Sequence, residues 1–275
     1  MKGFLKYHIY DRLALFKKTL QLRFWKKNKP IVVHTMAKVG SLSVYSSLKK
    51  QLPKTPLFHT HSLDIDEVQK NIDLCFKNGI YPGSRSPAFL VQNQIISTGR
   101  PYKIITLYRD PIERNISAFF DAFKLYVGVK PEDYTGDMKT LEKLFHAHIP
   151  YKYPLQWFDE YLLKETAIDA YCFPFNAELG YLTIRLDSTE VLIMNCYLED
   201  NLKEKLISEF SALPNFKLEN TNITAERKSG DLYRAFKNHI RFSESYLNAY
   251  YNSKYAKHFF TSTQRKKAIE KWLKI

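Results

Sequence analysis

The stretch Ile31–Leu48, IVVHTMAKVGSLSVYSSL, limits what this chain can fold into more than any other. Ile31, Val32 and Val33 follow Pro30 as a short β-branched run, the composition of a buried strand. A loop of small residues spans Thr35–Gly40. Ser41 or Ser43 then opens a helix whose apolar positions Tyr45, Leu48 and Leu52 fall three and four apart. A strand feeding a glycine-bearing loop and a helix N-terminus is a phosphate-binding arrangement. Unpaired backbone N–H groups point at the anion and the helix dipole favours its charge. Lys38 adds a mobile cation, and Ser41 and Ser43 add hydroxyls. An ordinary strand-to-helix turn also uses Gly and Ser, so a second motif has to decide between the two. Nucleotide-hydrolase loops need Gly-x4-Gly-Lys-Ser/Thr, and here the lysine precedes the only glycine.

Pro53 and Pro56 frame a second strand, Leu57–Thr60. His59 and His61 sit where that strand ends and a helix starts, with Asp64 and Glu67 spaced as a capping box. Ligands of open α/β sheets bind at such edges, so either histidine is a candidate base. A metal lacks a third ligand there. Ser86-Pro87 reads as the start of a helix reaching about Ser97. Lys103–Leu107 is a third strand. It runs into YRDPIERNISAFFDAF, where Asp110 caps, Pro111 fills the first turn and Glu113 completes a second capping box. Arg109 ends the strand, and a guanidinium there offers a fixed fork of donors for a phosphate. Farther on, strand-like runs fall at Ile168–Phe173, Tyr181–Leu186 and Val191–Tyr197. Tyr151, Tyr153 and Trp157 are expected in the core or along a substrate cleft.

Lys38-x-Gly-Ser-x-Ser after one strand, and Arg109-Asp-Pro-x-x-Arg with Ser117 eight residues after its first arginine, together resemble two motifs of one superfamily. These are the phosphate-binding motifs of sulfotransferases that use 3′-phosphoadenosine 5′-phosphosulfate (PAPS). The segment DLYRAFKNHIRFSESYLNAYYNSKYAKHFFT is similar to bacterial sulfotransferase-like proteins assigned to capsular polysaccharide synthesis. The resemblance runs from about Pro30 to His258. It implies an α/β fold, with a central parallel β-sheet flanked by helices under a helical cover, in one domain over 30–275 after a basic lead-in, 1–29. It implies that Lys38, Val39, Gly40, Ser41, Leu42 and Ser43 hold the 5′-phosphosulfate, and that Arg109 and Ser117 hold the 3′-phosphate. A late turn, Arg227, Lys228 and Gly230, would close over that phosphate. Many members read Arg-Lys-Gly there and this chain reads Arg-Lys-Ser-Gly, which leaves the register open. His61, with His59 second, would take the proton of an acceptor hydroxyl on a carbohydrate. The family uses His or Glu, so Asp64 and Glu67 stay in view. No metal is implied.

Charge bears on partners. The 275 residues carry 42 Lys plus Arg against 28 Asp plus Glu, a net charge of +14. Residues 1–30 hold nine basic residues and one acid, Asp11. That segment reads as a basic amphipathic helix with Leu5, Ile9, Leu13 and Phe16 on one face. Packing of this face onto the domain is the first expectation, and contact with an anionic membrane the second. With three scattered cysteines, no apolar run of membrane length and no signal-peptide pattern, a cytoplasmic protein is expected. Two rival functions stand beside sulfuryl transfer: an ATP-dependent phosphotransferase, and a non-catalytic polyanion binder. Basic residues gather at the chain ends rather than interleaving with aromatics, which argues against nucleic acid.

Overall fold

The computed structural model describes residues 9, 11–24, 28–79, 81–82, 87–219 and 230–273. Five strands, β1 (Ile31–His34), β2 (Leu57–Thr60), β3 (Tyr102–Tyr108), β4 (Tyr181–Arg185) and β5 (Thr189–Asn195), form one sheet in the order β2-β1-β3-β5-β4. The first three and β5 are parallel, and β4 runs antiparallel along the edge beside β5. Helices flank the sheet, so the molecule is α/β with a mostly parallel sheet. Helix α1 (Arg12–Phe24) precedes β1, α2 (Ser41–Gln51) leads to β2, and α3 (Ile65–Lys77) leaves it. Pro87–Val91 forms α4, continued by a π-helical turn, Gln92–Ile96. Then α5 (Pro111–Asp121) leaves β3.

The order matters for function. From β1 the chain steps outward to β2, then crosses back over to β3 on the other side of β1. The loops after β1 and β3 therefore diverge, and a crevice opens between them at the strand carboxyl ends. Thr35 joins these two strands just beyond their last paired residues. Its hydroxyl donates to the Leu107 carbonyl at 3.0 Å and accepts from the Leu107 N–H at 3.2 Å.

Two apolar clusters hold the molecule together. One covers the sheet, with Val33, Ile105, Leu192 and Met194 fully buried. The other lies among α5, α6 (Phe123–Val127), α7 (Met138–His148) and the C-terminal helices, around Phe119, Phe145, Phe236 and Tyr251. The middle of the chain adds α8 (Tyr153–Trp157), a π-helical stretch Phe158–Leu163, and α9 (Lys164–Thr166). The remaining helices are α10 (Asp200–Ser211), α11 (Gly230–His239), α12 (Glu244–Tyr251), α13 (Lys254–Phe259) and α14 (Ser262–Trp272).

Three local expectations need correction. Ile168–Phe173 holds a 3-10 turn, Ala170–Cys172, rather than a strand. Asp169 caps it by accepting from the Tyr171 N–H, and so offers the backbone a local bond in place of a ladder. Both predicted capping boxes form by half. Asp64 and Asp110 cap their helices, but Glu67 and Glu113 turn away to Tyr161 and to Lys237 and Lys271. The Asp64 N–H is taken instead by Glu165, 101 residues away. Finally, the face of α1 expected to pack onto the domain is outside: Leu13 is 61% and Phe16 62% exposed. Leu5 lies outside the described residues.

Candidate active site

The loop after β1 has the conformation that its glycine suggests, and one that its lysine does not. Gly40, the N-cap of α2, has φ 80° and Lys38 has φ 71°. A Cβ on Gly40 would meet nothing within 4 Å, so the glycine serves its backbone angle and not a close approach. Lys38 adopts the left-handed region with a side chain, a strained state that surrounding contacts must hold. Two arginines do so. Arg109 donates from Nη1 to the Lys38 carbonyl at 2.9 Å, and Arg114 donates from Nε to the Ala37 carbonyl at 3.0 Å. No side chain caps the N-terminus of α2.

Lys38 through Ser43, His59, His61, Arg109 and Ser117 all line one cleft of about 1070 Å³ at the strand carboxyl ends. Among its described lining residues, six are Lys or Arg and three are Asp or Glu. The carboxylates are engaged. Asp121 meets Lys38 at 2.6 Å, and Asp110 accepts from the Tyr251 hydroxyl at 2.7 Å. Glu113 is clasped by Lys237 and Lys271, with Arg109 at 3.8 Å. Burial alone would raise the pKa of Glu113, but the bonds from the two lysines outweigh it and hold the carboxyl below its ordinary range. Arg227 and Lys228 lie outside the described residues. Gly230 is buried in the first turn of α11 and does not line the cleft.

The two histidines differ. His59 Nε2 lies 2.9 Å from the Ser41 hydroxyl, and its ring stacks on Tyr45. Burial, aided by the neighbouring His61 and His34, lowers its pKa to about 3. His61 is exposed and its Nδ1 lies 2.7 Å from the Thr35 carbonyl, which only accepts. In the neutral ring Nδ1 therefore carries the hydrogen and Nε2 the lone pair. That is the tautomer a general base needs.

Sequence reasoning missed several groups. Arg114 lies in the quoted motif yet received no role. Its contact with Ala37, and its position 4.3 Å over the Tyr153 ring, appear only in three dimensions. Tyr197 takes a bond from Arg109 Nε at 2.8 Å, and Lys271 arrives from the last helix. Tyr255 accepts from the Arg109 N–H at 3.2 Å and donates to the Arg109 carbonyl at 2.6 Å. His34, fully buried, sets Nδ1 3.0 Å from the Thr60 hydroxyl and Nε2 3.4 Å from Glu165. Burial brings His34 down to about 3 and Glu165 up to about 7.

A second cavity, about 670 Å³, opens on the other side of the segment after β2. Asp64, Glu67, Glu165, Gln156, Tyr153 and Tyr161 are on its wall. Trp157, fully buried, lines neither cavity and donates from Nε1 to the His61 carbonyl at 3.4 Å. Tyr151 is exposed and lines neither cavity. No family model matches the chain, and no curated protein or solved structure matches it either.

Proposed function

We propose that the protein is a sulfotransferase of the PAPS-dependent kind, moving a sulfuryl group to a hydroxyl of a carbohydrate. The observation that carries this reading is the contact of Arg109 with the Lys38 carbonyl at 2.9 Å inside one cation-rich cleft. Two motifs 71 residues apart, each suited to a phosphate, line the same space. An adenosine carrying phosphate at both its 3′ and 5′ positions needs two such grips.

In this reading the α2 N-terminus and Lys38–Ser43 hold the 5′-phosphosulfate. Arg109 and Ser117 hold the 3′-phosphate. The acceptor oxygen attacks sulfur in line, forming one S–O bond as the bond from sulfur to the bridging oxygen breaks. That oxygen leaves with the electron pair on adenosine 3′,5′-bisphosphate. Lys38 stabilises its growing charge. The ammonium has to leave Asp121 to do so, and an exposed pair of this kind costs little to break. His61 Nε2 takes the acceptor's proton. His59, held by Ser41, orients the loop. The acceptor hydroxyl has to enter the same cleft, where His61 and Lys38 both stand on the wall. Capsule or another cell-surface glycan is the acceptor this reading favours. The sulfotransferase fold itself belongs to the same proposal.

Calorimetric titration tests it. Adenosine 3′,5′-bisphosphate should bind in the micromolar range without magnesium, and AMP should bind at least tenfold more weakly. Arg109→Ala should abolish bisphosphate binding, while His61→Ala should spare it and remove transfer from PAPS. Preference for ATP with magnesium would favour phosphoryl transfer. Binding of a heparin-like polymer with no response to any nucleotide would favour the polyanion binder.

A further inference from the structure

Helix α1 faces two environments. Its inner side is fastened to the body of the protein. Leu22 is buried, and its carbonyl accepts from Arg100 Nη1 at 2.9 Å. Lys18 donates to the Leu57 carbonyl and sits 4.6 Å over the Phe58 ring. Asp11, just before the helix, accepts the Tyr81 hydroxyl hydrogen between its two carboxylate oxygens, 2.9 and 3.0 Å from the phenol oxygen. The outer side carries Leu13, Phe16, Leu20 and Phe24, spaced by three, four and four residues. On a helix turning roughly 100° per residue they fall within an arc of about 80°. Leu13, Phe16 and Phe24 are 61%, 62% and 71% exposed, and Ile9, four residues before Leu13, is 47% exposed.

The charges around this stripe are one-sided. On the same helical projection Arg12 and Arg23 run along one edge of the stripe and Lys17 along the other, all three exposed. Residues Arg12–Phe24 contain no acid, and Asp11 is turned inward to Tyr81. An apolar stripe with cationic margins is the cross-section of a helix lying in a lipid interface. The apolar side chains enter the acyl boundary, and the long basic ones reach back to the head groups.

We infer that α1 docks the protein on an anionic lipid surface, its axis parallel to the membrane plane. A second copy is the poorer occupant. Stacking this face on itself would oppose like charges along both margins, and a helix about 20 Å long offers too little area for a stable dimer. The described residues include no helix long and apolar enough to cross a membrane, and a helix lying in the interface attaches peripherally and reversibly. The fastenings of α1 at Leu57, Arg100 and Pro53 precede β2 and β3 or begin them, at the amino ends of those strands, whereas the cleft lies at the carboxyl ends. Docking therefore leaves the cleft open to solvent. The inference does not depend on what that cleft binds.

Vesicle co-sedimentation of the full chain tests it. Wild-type protein should bind vesicles of phosphatidylcholine containing a quarter phosphatidylglycerol, and bind pure phosphatidylcholine about tenfold less. Leu13→Glu with Phe16→Glu should abolish binding. Arg12→Gln, Lys17→Gln and Arg23→Gln together should cut it about tenfold and remove its salt dependence. Both sets change exposed side chains only, so the thermal melting midpoint should stay put and shows that each variant is folded. The inference is overturned if wild type stays in the supernatant with the anionic vesicles, or if both sets of variants bind as wild type does. It is also overturned if wild type elutes as a dimer that the two glutamates convert to a monomer.

Discussion

Arg114 donates from Nε to the carbonyl of Ala37 at 3.0 Å, one residue before the carbonyl that Arg109 takes at 2.9 Å. Two arginines five apart on the exit of β3 thus grip consecutive carbonyls of the loop leaving β1. The strained φ of Lys38 lies between those grips. A guanidinium suits this task because its donors are fixed in a plane, and Arg114 spends another on Asn115 at 2.9 Å.

Arg114→Ala should lower the unfolding free energy by about 2 kcal/mol, since it strips the donor from the buried Asn115 side-chain oxygen and from the half-buried Ala37 carbonyl. Arg114→Lys should recover less than half of that, because one ammonium cannot reach both in the same geometry. Urea denaturation of the three proteins measures it. A fully stable lysine variant would show that charge rather than the fork holds the loop.

Gly40 and Lys38 make opposite predictions from the same backbone argument. Gly40→Ala should cost about 1 kcal/mol, the penalty of a left-handed alanine, with no steric addition because the space around its Cβ is open. Lys38→Gly removes that penalty, and should leave stability unchanged or raise it by up to about 1 kcal/mol while weakening phosphosulfate binding. Melting curves beside nucleotide titrations separate the two effects. A Lys38→Gly protein clearly less stable than wild type would mean that the ion pair with Asp121 outweighs the strain.

The frame of the site was legible because it rests on local rules. Ile31–Val33, the glycine after it and the Asp110-Pro111 start announce strand, turn and capped helix within a few residues, and all three are present. What could not be read has partners far away in the chain. Glu67 and Glu113 have capping-box spacing, but distant lysines and a tyrosine draw their carboxylates off. His34 carried no reading in the sequence, because its full burial and the 3.4 Å approach of its Nε2 to Glu165 bring together residues far apart in the chain. The face of α1 was legible as a stripe. Which side it turned to solvent was not, because that depends on Lys18 finding Phe58 and Leu57.

The tyrosine-rich C-terminal segment has a definite task. Tyr250, Tyr251 and Tyr255 bond to Asn115, Asp110 and Arg109, the turn proposed to hold the 3′-phosphate. Tyr255→Phe keeps the ring but strips both bonds from the Arg109 backbone. It should cost about 1–3 kcal/mol of stability. It should also weaken bisphosphate binding several-fold although Tyr255 does not line the cleft. Unchanged affinity in a destabilised Tyr255→Phe protein would confine the tyrosine to a structural role.

Three buried groups set an unusual stability profile against pH. His34 and His59 have their pKa values lowered by burial to about 3, below the ordinary histidine value, so the unfolded chain binds more protons than the folded one between about pH 6.5 and 3. Their contribution is complete above that range and is lost as pH falls, about 2 kcal/mol for each ring by pH 5. Glu165 has the opposite sign. Burial raises it to about 7, so the stability linked to its proton is present below the ordinary carboxylate range and is lost as pH rises through about 7. Between pH 8 and 6 the two trends nearly cancel, and wild-type stability should be flat there and fall below pH 6. His34→Asn and His59→Gln place amides where the Thr60 and Ser41 bonds need them. With both changes, stability should rise from pH 8 to pH 5 by about 2 kcal/mol, the limb of Glu165 alone. Urea titrations at four pH values decide it: an acid limb as steep as that of wild type would show that neither ring is held neutral in the fold.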